Sequence, residues 1–319
     1  MSEQAVPATG STWTGVDDVR AQLTADGLDV AACELIVQEA LDEDLGGRGV
    51  VPDLTGERVD VTSVATVPAE DTAVGDLVAR QPGTVAGLAV AGLVFAVCAG
   101  DRPVRITAHV VDGTRVETGT VLMTVEGNTR ALLTAERTAL NLVSLVSGVA
   151  TATRAWVDAL DGTGARVRDS RKTTPGLRML QKYAVRAAGG LNHRMALSDA
   201  ALIKDNHVIA AGGVVPAYRA VRERFPDLPV QVEATTAEQV DALVAAGARE
   251  ILLDNMSVEQ MTAIVSAHRE QVVFEASGGL GLANAIEVAS SGVQLIAVGA
   301  ITHSAKIMDI ALDLRSLTA

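Results

Sequence analysis

The feature that most constrains this chain is the alternation of short apolar runs with helical stretches through its second half. The runs are Ala165–Arg168, Ala201–Lys204, Val230–Glu233, Ile251–Asp254, Val272–Glu275 and Leu295–Gly299. Ala237–Ala246, Val258–His268 and Leu282–Ser290 lie between them and have helical length and spacing. β and α segments alternating at this pitch predict a parallel sheet covered by helices. Each run closes on a polar residue or glycine, and parallel α/β folds hold ligands at that C-terminal edge of the sheet. Six strands are clear where a standard barrel has eight, so the pattern fits a partial or a complete α/β barrel.

The first half reads differently. Ala65–Pro68, Ala73–Arg80, Val104–Val111 and Val121–Gly127 are β-like runs separated by Gly, Pro and Asp, with an apolar helix expected at Ala86–Cys98. Val30–Leu45 predicts an amphipathic helix with Leu35, Ile36, Ala40 and Leu41 on one stripe, and Thr134–Val149 a long helix with Leu140, Leu142, Val143 and Val146 inward. These elements predict an α+β domain of antiparallel strands and helices. Residues 1–27 have neither a basic nor an apolar signal region and read as a flexible extension. Gln81–Gly100 carries no charge and approaches the span of about 20 residues that crosses a membrane. Its Gln-Pro-Gly start, its Gly and Ala content and the lack of a basic flank after it favour a buried helix.

Charge narrows the ligand class. Residues 166–207 hold nine of the 26 Lys and Arg residues against three acids, within a chain of net charge −13. An acidic protein that gathers cations in one stretch builds a local anion site, because a basic concavity focuses the field on a charged ligand. Arg178, Lys182 and Arg186, four apart, read as the solvated face of a helix. Arg171, Lys172, His193, Arg194 and Lys204, with Arg137 as an addition, sit at element ends beside Gly, Pro, Asn and Asp and are the candidate anion ligands. Aromatic residues make up 2% of the chain, too few for base-stacking platforms, so nucleic acid is not an expected partner. Cys33 and Cys98 make no metal or disulfide pattern, which points to a reducing cytoplasm.

A second constellation is acidic. Glu233, Asp254 and Glu275 recur 21 residues apart at successive strand ends, a spacing that lets carboxylates converge on one rim and hold Mg²⁺ beside phosphates. A third is glycine-rich: Ser277-Gly278-Gly279 and Gly299-Ala300 expose backbone N–H groups that can cradle a phosphate. The incomplete fingerprint after Gly279 does not make a dinucleotide fold. His193 and His207, 14 residues apart, match no metal-ligand spacing and suit anion contact or structural hydrogen bonds.

The blocks that carry these residues stand together in order: Asp169-Ser-Arg-Lys-Thr-Thr-Pro-Gly-Leu-Arg, Gln181-Lys-Tyr-Ala-Val-Arg, Gly189-Gly-Leu-Asn-His-Arg and Leu202-Ile-Lys-Asp-Asn-His. Glu136-Arg-Thr-Ala-Leu-Asn, Leu253-Asp-Asn-Met, Glu275-Ala-Ser-Gly-Gly and Val298-Gly-Ala-Ile-Thr-His-Ser extend them. From about Leu41 to the C-terminus the chain resembles the quinolinate phosphoribosyltransferase family. It departs from the family pattern at Ser170, Ala188 and the Ala-Thr-Thr after Glu233.

The resemblance implies an α/β fold with an N-terminal α/β sandwich at 28–140, joined by a C-terminal helix at 303–319, and an incomplete TIM-like α/β barrel at 141–302. It implies transfer of phosphoribosyl from 5-phosphoribosyl-1-pyrophosphate (PRPP) to quinolinate with decarboxylation, in pyridine nucleotide biosynthesis, with Mg²⁺ as cofactor. Arg137, Arg171, His193, Arg194 and Lys204 would bind quinolinate. Lys172, Glu233 and Asp254 would be catalytic, with the two acids toward Mg²⁺ and ribose. Ser277, Gly278, Gly279, Gly299 and Ala300 would hold phosphate. A homodimer or homohexamer is implied, with Arg137 reaching the neighbouring subunit's site. A relative with another acceptor, or a non-catalytic sensor of PRPP, are the rival readings. The two-carboxylate cage disfavours the first, and Glu233 together with Asp254 the second.

Overall fold

The computed structural model describes residues 10–47 and 56–316, which divide into two compact units. One takes residues up to Thr151, Met179–Ala188 and the segment from Ala305; the other takes Ala152–Arg178 and Gly189–Ser304.

The first unit is built on an antiparallel sheet. Its strands are β1 (Thr12–Trp13), β2 (Thr72–Ala79), β4 (Val104–Ala108), β6 (Val121–Asn128) and a C-terminal strand Ile310–Ser316, in the order β1-β4-β6-β2-C-terminal strand. A separate two-stranded ribbon pairs β3 (Gly83–Thr84) with β5 (Arg115–Val116). The helices are α1 (Val16–Ala25), α2 (Val30–Asp44), α3 (Val61–Thr66), α4 (Leu88–Ala99), α5 (Thr129–Ala159), which runs on into the second unit, and α6 (Arg178–Ala187). α4 is apolar on every side because it is buried on every side, against the sheet, α1 and α2. Its first N–H groups need an acceptor, and Asp112 supplies one, accepting from Gly87 N at 2.7 Å and Leu88 N at 3.2 Å. Tyr183 Oη donates to the same carboxylate at 2.6 Å. Loss of solvent pushes the Asp112 carboxyl up to about 6.

Several expectations change here. Residues 10–27 are structured: β1 pairs with β4, and Val19 and Leu23 of α1 are fully buried. Trp13, 5% exposed, lies over Gly92 of α4, where an added Cβ would come within 2.9 Å of its ring. Residues 1–9 of the expected extension lie outside the described residues. In α2 the inward stripe is Cys33, Val37 and Leu41, and Leu35 is 60% exposed. Ala65 and Thr66 end α3 instead of starting a strand. Lys182 is 1% exposed, not on a solvated face, because α6 is buried from Leu180 through Val185.

The expected C-terminal helix is a strand. Ile310, Leu312 and Leu314 alternate with Ala311, Asp313 and Arg315, a period of two that pairs with β2 and lays Leu312 over Gly75. Just before it, the carbonyl of Lys306 passes so close to α5 that a Cβ on Gly148 would lie 2.2 Å from it, which explains a glycine inside a helix. The units also change over at Thr151, inside α5, not at residue 140.

The second unit is a six-stranded parallel sheet, β7 (Arg166–Arg168), β8 (Ala201–Ile203), β9 (Val230–Ala234), β10 (Glu250–Asp254), β11 (Val273–Ser277) and β12 (Leu295–Ala297), ordered β7-β12-β11-β10-β9-β8. β7 and β8 are its two edges, so the barrel is incomplete. The helices are α7 (Asp205–Ala211), α8 (Val214–Arg224), α9 (Ala237–Ala245), α10 (Val258–His268), α11 (Ala285–Ser290), which follows a 3₁₀ turn Leu282–Asn284, and α12 (Ala300–His303). α10 starts where its sequence says, since Ser257 Oγ accepts from Gln260 N and Gln260 Oε1 accepts from Ser257 N.

The register sorts the strand side chains. Val167, Val232, Ile251, Leu253, Phe274 and Ile296 fill the helix-covered face and are buried. The alternate residues, Arg168, Gln231, Glu233, Leu252, Asp254 and Glu275 among them, face the barrel interior. That interior is polar, which is where the chemistry can sit.

Two outcomes test this architecture. Trp13→Ala should cost about 3–5 kcal/mol of stability in denaturant titration, since it empties a filled notch; no change would mean that 10–27 is not part of the unit. The folded pKa of Asp112 lies above the ordinary carboxylate value, so its stabilising contribution is complete below about pH 4 and is lost as pH rises through about 6. Melting temperatures from pH 4 to 7 should therefore fall less steeply in Asp112→Asn than in the native chain.

Candidate active site

The cationic side of the site begins where β7 ends. Asp169 is fully buried and accepts from His193 N and Asn192 Nδ2, both at 2.7 Å. Leu191 continues this junction as a bridge beside Arg168, with Asp169 N donating to Leu191 O at 2.9 Å. The loop carrying Arg171 and the loop carrying Arg194 are thereby tied together. Arg194 is shifted down, first by burial and then by the charge of Arg171. The Nε atoms of both guanidiniums are buried and have no hydrogen-bond partner. Two like charges with unsatisfied donors are costly unless an anion answers them.

Other cations extend the site. Lys172 is held by its carbonyl, which accepts from Thr302 Oγ1 at 2.7 Å, and its side chain lies against Gly299, where a Cβ would come within 3.0 Å of Cδ. Lys204 is half-exposed with Nζ 4.0 Å from Glu233 Oε2.

The acidic side lies along the sheet. Leu252 of β10 pairs with Glu233 on one flank and Glu275 on the other, while Asp254 pairs with Ser277 one level further along. Burial, and then the Asp254 charge, push the Glu233 carboxyl up. Asp254 accepts from Asn255 Nδ2 at 2.7 Å. Asn255 stands in the left-handed region at φ 54°, and Gly278 at φ 93° lies so close that a Cβ on it would meet Asn255 Oδ1 at 2.2 Å. Gly279 follows at φ 62°. Ser277-Gly278-Gly279 thus forms a bare backbone turn at the end of β11, next to Asp254.

The family models for quinolinate phosphoribosyl transferase match at both ends of this arrangement, the N-terminal domain over residues 60–147 and the C-terminal domain over 149–313. The chain belongs to the quinolinate phosphoribosyl transferase family. It is 53% identical over 260 residues to nicotinate-nucleotide pyrophosphorylase [carboxylating] of Mycobacterium leprae, covering 80% of this chain and 91% of that one. Among solved structures it superposes on NadC from Streptococcus pyogenes with a TM-score of 0.83 at 34% identity, covering 91% and 99% of the two chains. The nicotinate-nucleotide pyrophosphorylase from Francisella tularensis gives 0.79 at 33%, covering 88% and 96%.

As a quinolinate phosphoribosyl transferase family member, the chain shows which expected residues its second unit brings together. Arg171, Arg194, Lys204, Glu233 and Asp254 are linked by the charge effects and contacts above. Ser277, Gly278 and Gly279 border Asp254, and Gly299, which precedes Ala300 at the start of α12, borders Lys172. Arg137 is exposed on α5 in the first unit. His193 is buried, with Nδ1 accepting from Arg194 N at 2.7 Å, so it stands behind Arg194. His207 accepts from Lys204 N at 3.0 Å, a structural hydrogen bond.

Glu275 is not a third rim carboxylate. It stands level with Glu233 across Leu252, but it is fully buried and bridged to Arg168 at 3.2 Å. Asp169, Gln231 and Asn255 escaped the sequence reading. Asp169 and Asn255 lie inside the quoted blocks, but only the fold shows one buried and the other left-handed.

Among the described residues no three or more metal-ligating side chains gather in a cage. Glu233 and Asp254 nonetheless suit Mg²⁺, which takes one or two protein carboxylates and completes its shell with water and phosphate. The raised Glu233 carboxyl marks the negative charge that such a cation would relieve.

Asn255→Ala should cost about 1–2 kcal/mol, because alanine pays for the left-handed backbone and loses the bond to Asp254. Asn255→Gly should recover the backbone part, so equal losses for the two variants in urea titrations would refute the strain.

Proposed function

We propose that this chain transfers the phosphoribosyl group of PRPP to the ring nitrogen of quinolinate and releases pyrophosphate and CO₂, giving nicotinate mononucleotide. The observation that carries the reading is the adjacent pair Arg171 and Arg194, each with a buried, unpartnered Nε. A ligand with two neighbouring carboxylates satisfies both forks, and Lys204 adds a third cation at the edge. His193 holds Arg194 in place. Arg137 of an adjoining subunit completes the cage in a homodimer or homohexamer, and a cytoplasmic location accompanies this reading.

The chemistry asks for positioning and electrostatics. The bond from ribose C1′ to pyrophosphate oxygen breaks as the pyridine nitrogen bonds C1′. Glu233 and Asp254 stabilise positive charge developing on the ribose, and Lys172 stabilises negative charge on the departing pyrophosphate. Glu233 and Asp254 would hold Mg²⁺, which when bound neutralises the phosphates. The bare turn Ser277-Gly278-Gly279, with Gly299 and Ala300, receives the 5′-phosphate on backbone N–H groups. Once the ring nitrogen carries positive charge, the carbon–carboxylate bond beside it breaks, CO₂ leaves, and the electron pair left on the ring carbon takes a proton. No side chain forms a covalent intermediate.

Release of CO₂ from carboxyl-labelled quinolinate, dependent on PRPP and Mg²⁺, tests the reading, with nicotinic acid as parallel acceptor. Stoichiometric CO₂ and nicotinate mononucleotide from quinolinate alone is expected; turnover of nicotinic acid instead would move the chain to another acceptor. Glu233→Ala should lower kcat by at least about a hundredfold. Quinolinate affinity in calorimetry should stay within about twofold, and equal loss of both would remove Glu233 from its role.

A further inference from the structure

The barrel interior holds a chain of polar groups that this mechanism does not use. Gln231 on β9 is 4% exposed and Glu275 on β11 is fully buried. Glu275 Oε2 accepts from Gln231 Nε2 at 2.5 Å and from Arg168 Nη1 at 3.2 Å. With its NH₂ committed to Glu275, the Gln231 amide can turn only its oxygen the other way. That oxygen, Oε1, lies 2.9 Å from His193 Nε2. An amide oxygen only accepts, so His193 Nε2 must carry the proton. The other ring nitrogen, Nδ1, accepts from the Arg194 N–H at 2.7 Å and must be bare.

From this polarity we infer that Gln231, oriented by Glu275, is a positioning residue for the acceptor cage. It fixes His193 as the neutral Nε2–H tautomer, and through His193 it sets the backbone from which Arg194 reaches the ligand. The Arg168–Glu275 pair, two side chains away, thus orients the amide that receives this proton. The Arg194 N–H asks for the same bare Nδ1 from the other side of the ring, and Gln231 supplies the acceptor that holds the proton on Nε2. The inference deepens the proposed function and rests on it for the acceptor, while the tautomer itself does not.

The test has two readouts. In the native protein, nitrogen NMR of His193, assigned with His193→Gln, should show a neutral ring protonated at Nε2 at neutral pH. In Gln231→Met the fixed tautomer should be lost. In steady-state kinetics Gln231→Met should raise the KM for quinolinate about tenfold, the effect of one lost hydrogen bond. The KM for PRPP should move by no more than about twofold.

The double variant Gln231→Glu with Glu275→Gln keeps an acceptor facing His193 and a donor facing residue 231. It should return both the tautomer and the quinolinate KM toward native values, and it serves if Gln231→Met does not fold. An Nδ1–H or doubly protonated ring in the native protein overturns the inference. So does a quinolinate KM unchanged in Gln231→Met, or one that rises together with the KM for PRPP. A native chain that fails to turn over quinolinate at all would overturn the proposed function, and the NMR result would still decide the tautomer.

Discussion

The buried carboxylate of Asp169 is the joint on which the cationic side of the site depends. A carboxylate taken out of water needs hydrogen bonds to the ionised group, each worth about 1.5–3 kcal/mol, and here Asn192 and the His193 backbone provide them. Those donors lie 23 and 24 residues away along the chain, beyond α6. Satisfying one buried charge thus joins two distant loops and sets Arg171 beside Arg194. The sheet ends at β7 without a partner from β8, and the Leu191 bridge and Asp169 give that open edge some of the pairing a closed barrel would supply.

With the loops fixed, the charges fall into two fields. Arg171 and Arg194 repel one another on one side; Glu233 and Asp254 repel one another on the other. Lys204, 4.0 Å from Glu233, borders the acidic one. Neither field is at rest by itself, because each shifts the ionisation of one of its members against its charged form. A ligand pair that brings carboxylates to the cations and a cation to the carboxylates relieves both. Strain left unsatisfied in the protein alone is how a preorganised site stores selectivity for its ligands.

Much of this was legible from residue order. The Val258–His268 helix runs as its pattern says because its capping signals are local. The barrel strands and the rim acids Glu233 and Asp254 were visible because strand period and β/α alternation are short-range properties. The failures have a common cause. Lys182 looked like a surface cation, Glu275 like a rim acid and residues 10–27 like a loose extension, since the sequence shows a residue's type and not what packs over it. The C-terminal strand is the exception: its alternation of Ile310, Leu312 and Leu314 was present to be read, and only the resemblance pointed to a helix.

The sequence by itself determined the parallel α/β second half, the separate antiparallel first half, and the kinds of groups at the strand ends, because periodicity and composition encode those within a few residues. Tertiary structure decided which of the groups meet. It buried Asp169 and Glu275, turned Asn255 left-handed against Gly278, and fixed the polarity that runs from Arg168 through Gln231 to His193. Burial and hydrogen-bond direction depend on every partner at once, and those partners come from strands and loops tens of residues apart.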